Sequence, residues 1–238
     1  MPGAWEIKEK PDILVGVLHG WSVHPDWVLS MLRLQKAPFG KTTSLQYSWR
    51  HDGPYDHSRN VAAKECLESG AEWLFFIDSD VLVPQHTLER LLMHRLPIVG
   101  GLYYRRHPNT HAEVFRFAPG STQLDPIPDY SLQPGLNEVD GIGCGCLLIH
   151  RRVFEALIPR VKKLTIPSGG TNFEMYEFFK YSIAEPPFTS EDLTFCILAR
   201  EAGFKIYCDT TISCGHILST MQLKDGRPQW TPLELGHD

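Results

Sequence analysis

Two carboxylates separated by one serine, Asp78-Ser79-Asp80, directly follow the apolar run at residues 73–77 (WLFFI). Adjacent anions repel unless a cation neutralises them, and hard oxygen ligands suit Mg²⁺ or Mn²⁺. The plainer reading is a strand-ending turn with solvated acids. Glu191-Asp192, just after Ser190, would complement a helix dipole. The same pair would supply a general base if that helix start faces the metal. Residues 140–146 (DGIGCGC) precede a strand, so they are no dinucleotide fingerprint, which needs a strand before the glycines and a helix after them. Gly143 and Gly145 there allow either close backbone approach to a ligand or a bulged strand start. Arg59 starts a helix after a polar loop and could meet a phosphate, against the default of a solvated side chain.

The chain has 11 His and 6 Cys, which raises a zinc hypothesis. Cys144 with Cys146, His107 with His111, and Cys208, Cys214 and His216 are the candidate groups, but none has the paired C-x-x-C spacing of structural zinc. They read as buried thiols and surface imidazoles. His216 is the exception, because it lies past the last strand, where the chain could return to the edge that holds the acids. Gly40-Lys41-Thr42 is not a phosphate loop, since the position of the leading glycine holds Gln35.

Placing these groups requires the elements around them. Residues 13–18 (ILVGVL) read as a buried strand, 25–35 as a helix and 43–49 as a second strand, with 50–57 a polar loop. A helix over 59–69 ends at Gly70, and the 73–77 run, lacking alternation, is a strand covered on both faces. Pro84 opens another helix, and 96–99 returns as a strand. That succession predicts a parallel, doubly wound sheet, whose ligands bind at the carboxyl edge where Asp78 and Asp80 stand. Residues 105–136 and 162–187 read as irregular, 146–149 as a strand, 152–157 and 189–202 as helices, 204–208 as the last strand, and the tail from 224 as a surface extension.

At 238 residues, with 42% apolar side chains, the chain can bury a sizeable core. Its net charge of −5 argues against nucleic-acid binding by general electrostatics. No run approaches the roughly 20 apolar residues of a membrane span. The first dozen residues show no signal peptide, and six Cys without one read as reduced thiols. A cytoplasmic protein is therefore expected.

The ordered set of motifs resembles the GT-A glycosyltransferases, especially the family-two-like members of the nucleotide-diphospho-sugar transferase superfamily. The likeness spans about residues 13–217. Its pieces are Ser58-Arg59-Asn60 opening a helix and residues 75–81 (FFIDSDV) as the D-x-D motif. Residues 143–149 (GCGCLLI) with 151–154 (RRVF) look like the strand lining the acceptor side. Residues 190–193 (SEDL) with 202–207 (AGFKIY) look like the E-D helix, and Gly215-His216 like the late histidine.

This resemblance implies a single α/β domain with a Rossmann-like, mostly parallel sheet and helices on both faces. Its nucleotide-binding half would cover about 12–104, its acceptor-side half about 137–218, and 219–238 would be an extension. It implies a UDP- or GDP-sugar donor and a glycan, lipid-linked or protein acceptor. Asp80 and His216 would bind Mn²⁺ or Mg²⁺, Asp78 the ribose or a metal-bound water, and Arg59 would lie near the nucleotide. Asp192 would deprotonate the acceptor hydroxyl, Glu191 would position it, and Gly143 and Gly145 would line its side. Residues 48–53 (SWRHDG) depart from the acidic turn often found there. Two other readings stay open: a haloacid-dehalogenase-like phosphatase with Asp78 as nucleophile, and an inactive nucleotide-sugar-binding domain.

Overall fold

A computed structural model describes residues 12–20, 22–35, 45–51, 53–106, 111–168, 171–182, 189–217, 220–224 and 227–231. In the first part of the chain, β1 (Ile13–His19), α1 (Pro25–Gln35), β2 (Leu45–His51), α2 (Tyr55–Ser69) and β3 (Trp73–Asp78) are followed by β4 (Val81–Leu82), α3 (Thr87–Met93) and β5 (Ile98–Leu102). The middle holds β6 (Val114–Phe117), β7 (Leu124–Pro126), β8 (Leu136–Val139), β9 (Gly141–Ile142), β10 (Cys146–His150) and α4 (Arg151–Leu157). Then come β11 (Lys163–Ser168), β12 (Thr171–Tyr176), α5 (Glu191–Glu201), β13 (Ile206–Ser213), β14 (Gly215–His216), β15 (Thr220–Lys224) and β16 (Arg227–Thr231).

The architecture is mixed α/β around a seven-stranded sheet in the order β2-β1-β3-β10-β5-β13-β8. β1 pairs in parallel with β2 and β3, and β5 with β13, whereas β10 is antiparallel to both β3 and β5, and β8 is antiparallel to β13. The unalternating apolar run of β3 is explained by its two neighbours in depth. Trp73, Phe75 and Ile77 pack with Trp27, Met31 and Leu34 of α1 and with Leu88 and Leu91 of α3. Leu74 and Phe76 face the other way, toward Ala62, Ala63 and Cys66 of α2, Phe154 of α4 and Phe195 of α5. Each face of the sheet therefore owns a core, and helices cover both.

Several expectations change. The sheet is mixed rather than a run of parallel strands, because β10 inserts antiparallel between β3 and β5. Helix α2 starts at Tyr55, a turn earlier than expected, after Pro54 with φ −54°, and Ser58 N–H donates to the Pro54 carbonyl at 3.0 Å. Strand β5 runs through Gly100 and Gly101 instead of stopping before them, and residues expected to be irregular form the β11–β12 hairpin. Beyond residue 219, β15 and β16 pair. The segments at 38–44, 183–187 and 232–238, with Gly40-Lys41-Thr42, lie outside the described residues, as does His107. The six cysteines are free thiols, all buried. No helix among the described residues is long and apolar enough to cross a membrane.

Gly100 in β5 is there for proximity. A Cβ on Gly100 would lie 2.6 Å from the Cys146 carbonyl oxygen of β10 and 2.7 Å from Ile142 Cδ1, a contact no real side chain makes. Gly100→Ala is expected to lower unfolding free energy by about 1–3 kcal/mol through overpacking. Gly20→Ala, with nothing within 4 Å of its Cβ, is expected to stay within about 0.5 kcal/mol. Urea denaturation of the two variants checks the difference.

Candidate functional site

The carboxyl ends of β1 and β3 open onto a cleft of about 510 Å³. Its walls include Asp78, Asp80, Arg59, Glu191, Asp192 and His216, so side chains drawn from positions 59 to 216 of the sequence meet in one place. The turn carrying the first two acids is pinned by its backbone. Asp78 N–H donates to Gly145 O at 3.2 Å, Ser79 N–H to Leu18 O at 3.1 Å, and the Trp27 indole to Asp78 O at 2.9 Å.

A two-residue ladder delivers the histidine. β14 pairs antiparallel with β4, His216 opposite Val81, and Ile217 N–H donates to Asp80 O at 2.7 Å. The imidazole Nδ1 then lies 2.6 Å from the Tyr104 carbonyl, which can only accept, so Nδ1 carries a hydrogen. In the neutral ring the lone pair is therefore on Nε2, which faces Asp80 Oδ1 at 3.6 Å. Two lone-pair bearers facing each other need a cation between them. A proton meets that need: burial opposes charge on both groups, yet their mutual attraction raises the His216 pKa and, with the Arg106 charge, holds the Asp80 carboxyl below its ordinary range. A divalent cation would meet it equally, because an imidazole oriented by a backbone carbonyl is the usual metal-ligand arrangement.

Asp78 takes a different partner. Arg59 of α2 is buried at 3% exposure; its Nη2 lies 3.2 and 3.1 Å from the two Asp78 oxygens, and its Nε donates to Glu191 Oε1 at 3.1 Å. Phe76 lies beneath the guanidinium, 5.2 Å from its ring centroid. Burial alone pushes the Asp78 carboxyl up, and the Arg59 charge offsets only part of that. Among the described residues no three His, Cys, Asp or Glu side chains form a metal cage. Asp80 and His216 still fit a Mg²⁺- or Mn²⁺-type ion, which commonly takes one or two protein ligands and completes its shell from phosphates and water. Cys208 and Cys214 are buried thiols, His111 Nδ1 turns to the Ala112 carbonyl, and none of these joins a group of three metal-ligating side chains among the described residues.

At the start of α5, Ser190 stands at the cap position, its carbonyl accepting from Thr194 N–H at 2.9 Å. Glu191, 5% exposed, is held by Arg59 with the Tyr181 hydroxyl beside it, and Asp192, the next residue, lines the same cleft. Asp192 Oδ1 accepts from Leu193 N–H at 2.8 Å and from the Ser190 hydroxyl. Burial, then the Glu191 charge, push its carboxyl up to about 6, outweighing the helix N-terminus expected to favour ionisation.

Gly143 and Gly145 make room for a ring. A Cβ on Gly143 would lie 2.1 Å from the Tyr103 hydroxyl oxygen, and that oxygen accepts from Gly145 N–H at 3.0 Å. The glycines act on the cleft through Tyr103, which lines it. Tyr103, Tyr181, Arg105 and Arg106 are among the lining residues that the sequence reading missed; the position of Arg105 and Arg106 just after β5 was the available signal.

The fold and cleft define a mixed α/β protein with an acidic site at the carboxyl edge of its sheet. No protein-family model and no curated protein matches the chain. Among solved structures it is similar to the crystal structure of A197 from STIV, with a TM-score of 0.55 and 16% sequence identity over 96% of this chain and 97% of that one. At that identity the likeness is one of fold, over nearly the whole length of both chains.

Truncating Arg59 strands Asp78 and Glu191 as unpaired buried charge. Arg59→Leu is expected to cost about 3–5 kcal/mol in urea denaturation, and Arg59→Lys, lacking the fork, to recover little of it. Asp192 acts in the opposite sense. Its folded pKa of about 6 lies above the unfolded value of about 3.9, so its contribution is full below pH 4 and lost as pH rises through 6. Asp192→Asn is expected to be more stable than wild type at pH 7.5, an advantage that vanishes near pH 4.

Proposed function

We propose that this protein is a metal-dependent glycosyltransferase of the GT-A type, moving a sugar from a UDP- or GDP-linked donor to an acceptor hydroxyl with inversion. One observation carries the reading: a single cleft holds both the Asp80–His216 pair, fit for a divalent cation, and Asp192, whose carboxyl is pushed up to about 6. Asp80 and His216 would hold Mn²⁺ or Mg²⁺, which when bound supplies charge neutralisation for a departing diphosphate.

The chain's own residues account for the rest. Asp192, ionised above pH 6, accepts the proton of the incoming hydroxyl, and its raised pKa makes it a stronger base than an ordinary aspartate. Glu191 is fixed by Arg59 and Tyr181, so the start of α5, and Asp192 with it, holds one position against the D-x-D turn. Tyr103, seated on Gly143 and Gly145, supplies an apolar ring beside the His216 imidazole, centroids 5.5 Å apart. Direct displacement at the anomeric carbon inverts configuration, which is why one base suffices. A phosphatase with Asp78 as nucleophile would need that carboxylate free, whereas Arg59 Nη2 reaches both its oxygens. The buried free thiols favour a reducing, cytoplasmic setting.

Three measurements test this reading. Calorimetry with UDP- and GDP-sugars is expected to show Mn²⁺-dependent binding that Asp80→Ala abolishes and His216→Ala weakens less. The rate is expected to rise with pH through about 6, a limb absent from Asp192→Asn, whose turnover falls by roughly 10²–10⁴-fold with donor binding spared. NMR of the product is expected to show the inverted anomer. Unchanged donor affinity in Asp80→Ala, or near-normal turnover in Asp192→Asn, overturns the assignment.

A further inference from the structure

Asp80 divides its two oxygens between two cationic groups. Oδ1 faces His216, and Oδ2 lies 2.9 Å from Nη2 of Arg106, a side chain 44% exposed at the cleft wall beyond β5. A guanidinium cannot shed its proton at any working pH and has no lone pair to offer a metal. It therefore competes with a divalent cation for the same carboxylate, by occupying an oxygen and by like-charge repulsion. Its neighbour Arg105 is committed elsewhere, Nε 2.9 Å from Glu113 Oε1.

A nucleoside diphosphate brings negative charge to the place where Arg106 would be displaced, and a guanidinium fork matches phosphate oxygens as well as it matches a carboxylate. We infer that Arg106 is an exchange residue: it pairs with Asp80 in the free protein and transfers to a phosphate oxygen of a nucleoside diphosphate when a divalent cation takes the Asp80 carboxylate. This rests on the donor reading above and deepens it, since one side chain then couples cation and diphosphate binding. Each ligand removes a cost that the other would meet alone, and the coupling is reciprocal.

The inference makes opposite-signed demands on one variant. With Mn²⁺ alone, followed by electron paramagnetic resonance of the free ion, Arg106→Ala is expected to bind about two- to fivefold tighter, because an exposed competing ion pair is gone. With UDP or GDP titrated calorimetrically at saturating Mn²⁺, the same variant is expected to bind about ten- to a hundredfold weaker, the loss of a charge-assisted hydrogen bond. Arg106→Lys keeps the charge without the fork and is expected to fall between wild type and Arg106→Ala in both titrations. The melting temperature is expected to hold, since the pair is half-exposed. If wild type binds Mn²⁺ and a diphosphate but Arg106→Ala leaves both affinities unchanged, or shifts them in the same direction, the exchange is overturned while the donor reading stands. If wild type binds neither Mn²⁺ nor either diphosphate, both are overturned together.

Discussion

The buried guanidinium of Arg59 is the constraint on which the cleft depends. Asp78, Glu191 and Asp192 line the same cleft, and two of them touch this one cation, which is 3% exposed. Without it, burying the D-x-D turn and the start of α5 in one site would leave charges unpaired where water cannot screen them. With it, α2, β3 and α5 are tied at one point. Asn60, the next residue of α2, extends the tie by bonding both backbone groups of Phe179, at 2.7 and 2.9 Å, in the segment that carries Tyr181 to the cleft.

The acids then differ by partner rather than by type. Asp80 has His216 and Arg106 and stays ionised, Asp78 leans on Arg59, and Asp192 has hydrogen bonds but no direct cation, so its carboxyl rises to about 6. Separating carboxylates in this way is how one site can hold both a cation-binding group and a proton acceptor. The site draws on stability to do so, since an ionised Asp192 beside Glu191 is repelled by it. Stability and an ionised carboxylate at neutral pH pull against each other at this residue.

Tertiary pairing also changed the meaning of residues the sequence had singled out. Arg59 reads in sequence as an exposed cation at a helix start, but α2 begins four residues earlier, which moves Arg59 into the second turn and under the sheet edge. Glu191 reads as a dipole-matching acid, yet its main partner lies 132 residues back along the chain. His216 stands out in sequence by its place past the last strand and by its likeness to a late histidine; a two-residue ladder between β4 and β14 brings it to Asp80, and two residues carry no periodicity to read.

What the sequence determined by itself is local. The apolar runs of β1 and β3, the spacing in α1 that matches Pro25–Gln35 at both ends, Gly70 with φ 75° closing α2, and the acids at the end of β3 all follow from side-chain type and period over a few residues. What only the tertiary structure decided is direction and partnership. Residues 146–149 (CLLI) are an apolar strand whichever way they run, and β10 runs antiparallel because of where the preceding chain delivers it between β3 and β5. Whether a carboxylate binds a cation, pairs with an arginine or accepts a proton depends on charges a few ångströms away in space and many residues away in sequence, because Coulomb energy and desolvation follow distance through the fold and not separation along the chain.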